Sequence, residues 1–165
     1  MSNLTEGLSE KTSLFAKWFA GAGLLLMTAI IAWQVFARYV LNTSPAWGEQ
    51  AALLLMIWYV FLAAAAGVRE GFHIRIAVFV NWLPPTLRHG ANLFSHALVG
   101  TFGALMVYFG IELATATWQH IIPTLGISRA FAYIPIPIAG TLITGFALEQ
   151  LIAELRGKEV SKLWS

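Results

Sequence analysis

Four long apolar stretches, separated by short polar segments, set the pattern of this 165-residue chain. The uncharged runs are 20 residues after Lys17, 19 after Glu49, 23 after Arg88 and 19 after Arg129. About 20 residues of helix cross the hydrocarbon core of a bilayer, so each of these runs is long enough to span it. A fifth run, 12 residues after Arg75, is too short. The pattern therefore predicts an all-α integral membrane protein with four transmembrane helices.

We expect one membrane domain, residues 1–165, with helices at 14–39, 46–68, 87–118 and 131–155. Proline and glycine mark several of the boundaries. Pro45 precedes the second helix, and Pro123 and Gly126 break the chain after the third. Pro135 and Pro137 fall in the first turns of the fourth helix, where a missing backbone N–H leaves no hydrogen bond unmade.

The segment between the second and third helices, "REGFHIRIAVFVNWLPP", is apolar but short. Ile76, Phe79, Val80 and Leu83 have the i, i+3, i+4, i+7 spacing of one helical face, although residues 73–76 also alternate as a strand would. An amphipathic segment of this length suits the membrane interface. We predict a short interfacial helix here.

Basic residues are divided unequally between the two sides of the membrane. With four spans, the termini and the middle loop share one side, which holds Lys11, Lys17, Arg69, Arg75, Arg88, Arg156, Lys158 and Lys162. The opposite side holds only Arg38 and Arg129. Positively charged loops stay in the cytoplasm, so both termini are predicted to be cytoplasmic and the hairpin "RYVLNTSPAWGEQ" to face outward.

Composition excludes several classes of function. The chain is 58% hydrophobic and 11% charged, with a mean hydropathy of +0.71, and a net charge of +2 is too small to indicate nucleic-acid binding. It has no cysteine, which excludes disulfides, thiolate catalysis and iron–sulfur clusters. His89 and His96 share a face of the third span, but the other spans have no histidine to oppose them as haem ligands. We expect no cofactor, and we expect His96 to hydrogen-bond within the bundle or to face a partner.

The middle of the first span, 18–37, and that of the second, 51–68, hold no charged residue, and the carboxylates Glu112 and Glu149 fall near the ends of the third and fourth. A charge at the bilayer centre costs about 2.5–3.5 kcal/mol and usually marks a transport pathway. An uncharged centre favours a protein that acts through a membrane partner over a stand-alone small transporter or membrane enzyme, which remains the alternative. Glycines that could permit close helix approach are Gly21, Gly23, Gly100, Gly103, Gly140 and Gly145.

Residues 35–77 resemble a known family. "FARYVLNTSPAWGEQ" places Arg38-Tyr39 at the end of the first helix and Trp47-x-Glu49 at the start of the second, and "GFHIRI" follows the second helix. These elements are similar to the small membrane subunit, or DctQ-type permease, of tripartite ATP-independent periplasmic (TRAP) transporters. The chain departs from the family where Gln50 and Ala77 replace frequent acids.

The resemblance implies a scaffold subunit of a sodium-coupled secondary transporter in the bacterial inner membrane. A periplasmic binding protein would deliver an organic acid, such as sialic acid or a dicarboxylate. A large permease subunit would move it by an elevator-type motion. The small subunit would bind and enlarge the stationary part of the large one, without catalytic, substrate-binding or metal-binding residues of its own.

Candidate docking or structural residues lie in the two outer loops. Arg38 and Glu49 could form an ion pair across the first outer hairpin, with Trp47 beside them as an interfacial anchor. His120 and Arg129 could contact the soluble protein, or could be ordinary solvated residues.

On the cytoplasmic side, His73 and Arg75 are candidates for contact with lipid head groups or the large subunit.

Overall fold

The computed structural model describes residues 2–43, 45–69 and 85–155, with side chains described for 11–43, 45–69 and 90–155. Its helices are α1 (Ser2–Tyr39), α2 (Trp47–Arg69), α3 (Pro85–Ala116) and α4 (Pro135–Leu155). Each contains a stretch that is long and apolar enough to cross a membrane. The prediction of an all-α membrane protein with four spanning helices is confirmed. The predicted interfacial helix, with His73 and Arg75, lies outside the described residues.

Helix α1 starts well before its apolar stretch and ends in a turn that reverses the chain. Its helical backbone begins at Ser2, whereas the uncharged run begins only after Lys17. At the other end Asn42 adopts a left-handed conformation with φ of 52°, which asparagine tolerates better than most residues. The Thr43 N–H then donates to the Ala37 carbonyl at 3.0 Å. This turn directs the chain back into α2.

A small antiparallel hairpin joins α3 to α4, and the sequence pattern did not predict it. Strand β1 (Ile121–Ile122) pairs with β2 (Ile127–Ser128) in the register Ile121 to Ser128. Gly126, at φ of 68°, lies in the turn between them, so the predicted chain break at Pro123 and Gly126 is confirmed. Two-residue strands are too short to show a periodicity of their own.

A 3-10 turn, Arg129–Ala132, leads from the hairpin into α4. The Ser128 hydroxyl accepts from the Ala130 N–H at 3.2 Å and donates to the Trp118 carbonyl at 2.7 Å. It therefore caps the turn and ties it to the end of α3. Helix α4 begins at Pro135, so the predicted position of the prolines in its first turns is confirmed.

The helices pack side by side in the order α1, α2, α4, α3. In the most apolar window of each span, 11% of residues are buried in α1 and α3, against 28% in α2 and 33% in α4. The two helices at the edges of the row are thus the least covered, and the two central ones are the most covered. We call the end where α2 stops and α3 starts the inner end. The opposite end, which carries the turn between α1 and α2 and the hairpin between α3 and α4, is the outer end.

Apolar side chains fill the contact between the central helices. Ala65 and Val68 of α2 meet Ala139, Ile143 and Phe146 of α4, and all five are at most 5% exposed. A smaller cluster of Ala16, Leu62 and Ala66 joins α1 to α2. Alanine is frequent in both clusters, which lets the helix backbones approach closely.

Glycines bring α3 and α4 into direct backbone contact. A Cβ added at Gly103 would lie 2.6 Å from the Thr144 hydroxyl, and one at Gly140 would lie 2.7 Å from the Gly103 carbonyl oxygen. At Gly110 it would lie 2.7 Å from Cδ of Pro137. The expected role of Gly103 and Gly140 in close packing is confirmed.

The other glycines singled out in the sequence differ among themselves. A Cβ at Gly23 would lie 3.1 Å from Tyr59 Cβ, and one at Gly100 would make only ordinary contact with Ala147 at 3.5 Å. Nothing lies within 4 Å of a Cβ at Gly21 or Gly145. For these last two the expectation was wrong, because spacing along one helix does not reveal which face the neighbouring helix covers.

Candidate functional site

The first outer hairpin carries one charge at each of its helix ends. Arg38 lies in the last turn of α1, and Glu49 lies in the first turn of α2. A cation near a helix C-terminus and an anion near an N-terminus each interact favourably with the helix dipole, by about 0.3–1 kcal/mol at exposed sites. Both side chains are exposed. The helix dipoles therefore stabilise both charges, apart from any contact that the side chains make with other residues.

Arg38 and Glu49 also line one groove, of about 490 Å³, between α1 and α2. We call it the outer groove; its lining residues are Met27, Ile31, Gln34, Val35, Arg38, Tyr39, Glu49, Ala52, Leu53 and Met56. The structure thus brings the two charges to a common surface. The ion pair between them stays a prediction.

Trp47 is the first residue of α2 and is 42% exposed, as expected of an aromatic ring at a membrane interface. Next to it, Gly48 is buried, and a Cβ there would lie 3.1 Å from the Gln34 side-chain oxygen. This close approach holds the outer ends of α1 and α2 together. The exposed Trp47 and Glu49 therefore flank a residue that packs closely against α1.

The second outer loop brings His120 and Arg129 together. The Arg129 N–H donates to the His120 carbonyl at 2.6 Å, directly beyond the paired strands β1 and β2. Both residues are exposed. Their proximity arises from the strand pairing, which places positions nine apart in sequence across from each other. Their role in docking stays a prediction.

Trp58 connects the second outer loop to α2. Its indole N–H donates to the Phe131 carbonyl at 2.9 Å, and the Phe131 ring stacks on Trp118 at the end of α3, with ring centroids 6.4 Å apart. One residue of a central helix thereby fixes the turn that precedes α4. The loop that carries His120 and Arg129 is held to the helix row at this point.

We expect Trp58→Phe to lower the free energy of unfolding by about 1 kcal/mol, because the ring is kept while one hydrogen bond is lost. Heating the detergent-purified protein and following its monodisperse fraction measures the change. Trp33→Phe, at a 51% exposed position on α1, is the control. Equal stability of the two variants would show that the bond to Phe131 contributes nothing.

Four polar residues meet near the inner end, where α3 and α4 face each other. This inner polar cluster consists of Asn92, His96, Gln150 and Glu154. The Asn92 amide donates to a Glu154 carboxylate oxygen at 3.4 Å, and His96 shares a side-chain hydrogen bond with Gln150. His96 is 7% exposed and Gln150 6%. The expectation that His96 hydrogen-bonds within the bundle is confirmed.

Gln150 also hydrogen-bonds to α2. Its side-chain amide donates to the Val68 carbonyl at 2.8 Å and to the Arg69 carbonyl at 3.1 Å. The last carbonyls of a helix have no partner within it, so Gln150 satisfies two of them at the end of α2. One buried side chain therefore links α2, α3 and α4.

The sequence reasoning missed this cluster, although a signal for it exists. Asn92 and His96 are four residues apart near the start of α3, and Gln150 and Glu154 are four apart near the end of α4. Residues at i and i+4 lie on one helical face. Two such polar pairs, at equal depth on antiparallel helices, predict mutual hydrogen bonding.

The described residues contain no group of three or more His, Asp or Glu side chains placed to hold a metal ion. Of the buried polar side chains, Gln150 and His96 join helices, and the exposed charges Arg38, Glu49 and Arg129 lie in or beside the outer loops. This arrangement offers surfaces for binding and structural links between helices.

Known proteins with similar sequences belong to one transport system. Residues 27–157 match the family described as tripartite ATP-independent periplasmic transporters, DctQ component. The sialic acid TRAP transporter small permease protein SiaQ of Vibrio cholerae is 27% identical over 126 residues, which cover 76% of this chain and 72% of that protein. The C4-dicarboxylate TRAP transporter small permease protein DctQ of the same organism is 31% identical over 73% of this chain and 46% of its own length.

A third relative is much longer than this chain. The isethionate TRAP transporter permease protein DctMQ of Oleidesulfovibrio alaskensis is 24% identical over 86% of this chain, but the match covers only 24% of that protein. The family match spans most of the chain and all four helices in whole or in part. The chain belongs to the DctQ family, the small membrane components of tripartite ATP-independent periplasmic transporters.

Proposed function

We propose that this chain is the small subunit of a sodium-coupled TRAP transporter that imports an organic acid across the bacterial inner membrane. Sialic acid and C4-dicarboxylates are the substrate classes that two relatives carry in their names. The chain's own part is structural: it binds a large permease subunit and broadens the stationary body against which the substrate-carrying part moves. Both termini lie in the cytoplasm, as the distribution of basic residues favours.

The observation that carries this proposal is the open row of helices. The order α1, α2, α4, α3 places α1 and α3 at the edges of the row, and only 11% of the apolar window of each is buried. Among the described residues, the buried polar side chains Ser13, His96 and Gln150 all lie toward the inner end. An open row of helices, with no buried polar pathway through the centre of its described part, suits a subunit that enlarges another protein in the bilayer.

Fusion in a relative supports the partner assignment. The name DctMQ and the 24% coverage describe a permease in which the counterpart of this chain is one portion of a longer polypeptide. A segment joined covalently to the rest of a permease works beside it in the membrane. For this chain the same association would form between separate subunits.

Co-expression tests the proposal. We expect the tagged chain to retain a co-expressed large TRAP permease subunit of the same organism through detergent extraction and size-exclusion chromatography. In liposomes, organic acid uptake should require both chains and the periplasmic protein. Failure to form the complex, or uptake by the purified chain alone, would contradict the scaffold role.

The outer hairpins are proposed as the surface that meets the periplasmic binding protein. Arg38, Trp47 and Glu49 occupy one hairpin, and His120 and Arg129 the other, with all five exposed. His73 and Arg75 are proposed to contact lipid head groups or the large subunit on the cytoplasmic side.

Charge reversal tests this docking surface. We expect Arg38→Glu, Glu49→Lys and Arg129→Glu together to lower uptake by at least tenfold, because like charges across an interface cost several kcal/mol. Glu112→Lys, at an exposed position outside both hairpins, is the control. Uptake unchanged by the triple variant, with the complex still formed, would exclude docking at these residues.

A further inference from the structure

We propose that the outer groove is a binding site for one zwitterionic phospholipid, phosphatidylethanolamine. An acyl chain would lie along the groove, with the head group between Arg38 and Glu49. The proposal concerns the isolated chain and does not depend on its function in transport.

The lining of the outer groove changes from apolar to charged along its length. Met27, Ile31 and Val35 line it from α1 at helical spacing, and the polar Gln34 lies one turn before Arg38. Leu53 and Met56 line it from α2. These residues fall within the uncharged stretches of the two spans, at hydrocarbon depth. Arg38 and Glu49 lie at the outer end. The groove therefore has the polarity profile of a membrane lipid.

Its dimensions are sufficient for one hydrocarbon chain. From Met27 to Arg38 is 11 residues, which is about 16 Å along a helix. An alkyl chain about 4–5 Å across needs roughly 300 Å³ for this length, less than the groove's 490 Å³. The charges at its outer end favour a lipid over a partner helix.

The charges at the outer end select the head group. The Arg38 guanidinium is suited to a phosphate, which it can bind with two parallel hydrogen bonds. The Glu49 carboxylate is suited to an ammonium group and repels a second negative charge. Phosphatidylethanolamine carries a phosphate and a primary ammonium on one head group. Phosphatidylglycerol carries only the negative charge, so the groove should prefer the former.

The small Ala52 forms the floor of the groove and is 6% exposed. Leu53 and Val35, by contrast, are 48% and 50% exposed within the groove. A larger side chain at Leu53 would occupy the space of the acyl chain without entering the packed contact between α1 and α2. This position offers a way to block the site and keep the fold.

Native mass spectrometry of the full chain in detergent, with equal amounts of phosphatidylethanolamine and phosphatidylglycerol added, tests the proposal. We expect one tightly retained phosphatidylethanolamine per chain. Arg38→Gln should reduce this adduct about threefold to tenfold, the effect of losing one exposed or half-buried charge pair. Glu49→Gln should shift the preference toward phosphatidylglycerol. Leu53→Trp should abolish retention of either lipid.

Matched variants outside the groove provide the controls. Arg129→Gln and Glu112→Gln remove the same charges at other exposed outer positions, and Leu105→Trp enlarges a side chain that is 49% exposed on α3. All three should retain the lipid as the unmodified chain does, and monodispersity of every variant reports folding. If Leu53→Trp keeps the adduct, or if its only defect is lost binding of the large permease, the groove holds a partner helix and the proposal is wrong.

Discussion

Replacement of Gly140 by leucine is expected to lower the free energy of unfolding by about 3 kcal/mol, toward the upper end of what overpacking costs. A Cβ at this position would lie 2.7 Å from the Gly103 carbonyl oxygen and 3.0 Å from the Val107 backbone nitrogen. Backbone atoms in a helix cannot swing aside as a side chain can. The substitution therefore has to push α3 and α4 apart along their whole contact.

The helix propensity of leucine opposes this loss only weakly. Leucine is better than glycine in a helix interior by roughly 0.8 kcal/mol, well below the packing penalty. Gly145→Leu on the same helix gains the same propensity, and nothing lies within 4 Å of its Cβ. We expect that control to be as stable as the unmodified protein or slightly more so.

Steric trapping or thermal unfolding in detergent micelles measures both variants under the same conditions. Gly103→Leu should behave like Gly140→Leu, because a Cβ there would lie 2.6 Å from the Thr144 hydroxyl and 2.9 Å from the Thr144 backbone nitrogen. Similar stability of Gly140→Leu and Gly145→Leu would contradict the backbone contact between α3 and α4.

Gln150→Met is expected to destabilise the protein by about 2–3 kcal/mol, since three hydrogen bonds of a buried side chain are lost at once. The Val68 and Arg69 carbonyls lose their donor, and buried His96 loses its side-chain partner. Methionine has nearly the same size, so packing changes little. The loss should therefore measure the polar contacts.

The exposed Gln119→Met, measured by the same unfolding assay, is the matched control and should have little effect. Removing His96 as well should recover the part of the loss that comes from the unpaired imidazole, while the Val68 and Arg69 carbonyls still lack their donor. The double variant His96→Leu, Gln150→Met should be less destabilised than the sum of the single variants by about 1 kcal/mol. Strict additivity would mean that the two side chains do not interact.

The glycine variants and the Gln150 variants test two different contacts between the helices. Gly140 and Gly103 define how closely α3 approaches α4, while Gln150 links both helices to the end of α2. Loss of either should also weaken binding of the large permease if the helix row is the surface that the partner recognises. The outer hairpins would be affected least, since Gly48 and Trp58 hold them independently.

Much of the helix assignment could be predicted because it depends on local properties of the chain. The lengths of the uncharged runs predicted four spans, and the last helix was predicted to start at Phe131, four residues before its observed start at Pro135. Helix α1 is longer than its apolar run because polar residues can also form helix, and hydropathy reports only the part able to enter hydrocarbon. The two-residue strands 121–122 and 127–128 were missed since pairing joins residues whose own pattern is too short to read.

For the candidate residues too, positions along a helix could be predicted from sequence, whereas contacts between helices could not. Sequence position placed Arg38 and Glu49 at helix ends, but their shared groove depends on which faces of α1 and α2 meet. The i, i+4 pairs of the inner polar cluster were visible in the sequence, whereas the third participant, the end of α2, was not. A carbonyl carries no sequence signature, so its donor is found only in the folded chain.

Residue composition and short motifs, read along the chain, were enough to predict a membrane location, the number of spans and the family. The folded chain alone reveals the order α1, α2, α4, α3, the backbone contact at Gly103 and Gly140, the outer groove and the role of Gln150. Nearly all surfaces of these helices are apolar, and in a bilayer apolarity does not distinguish a face that meets lipid from one that meets a neighbouring helix. Shape and a few hydrogen bonds make that distinction, and both arise between residues far apart in sequence.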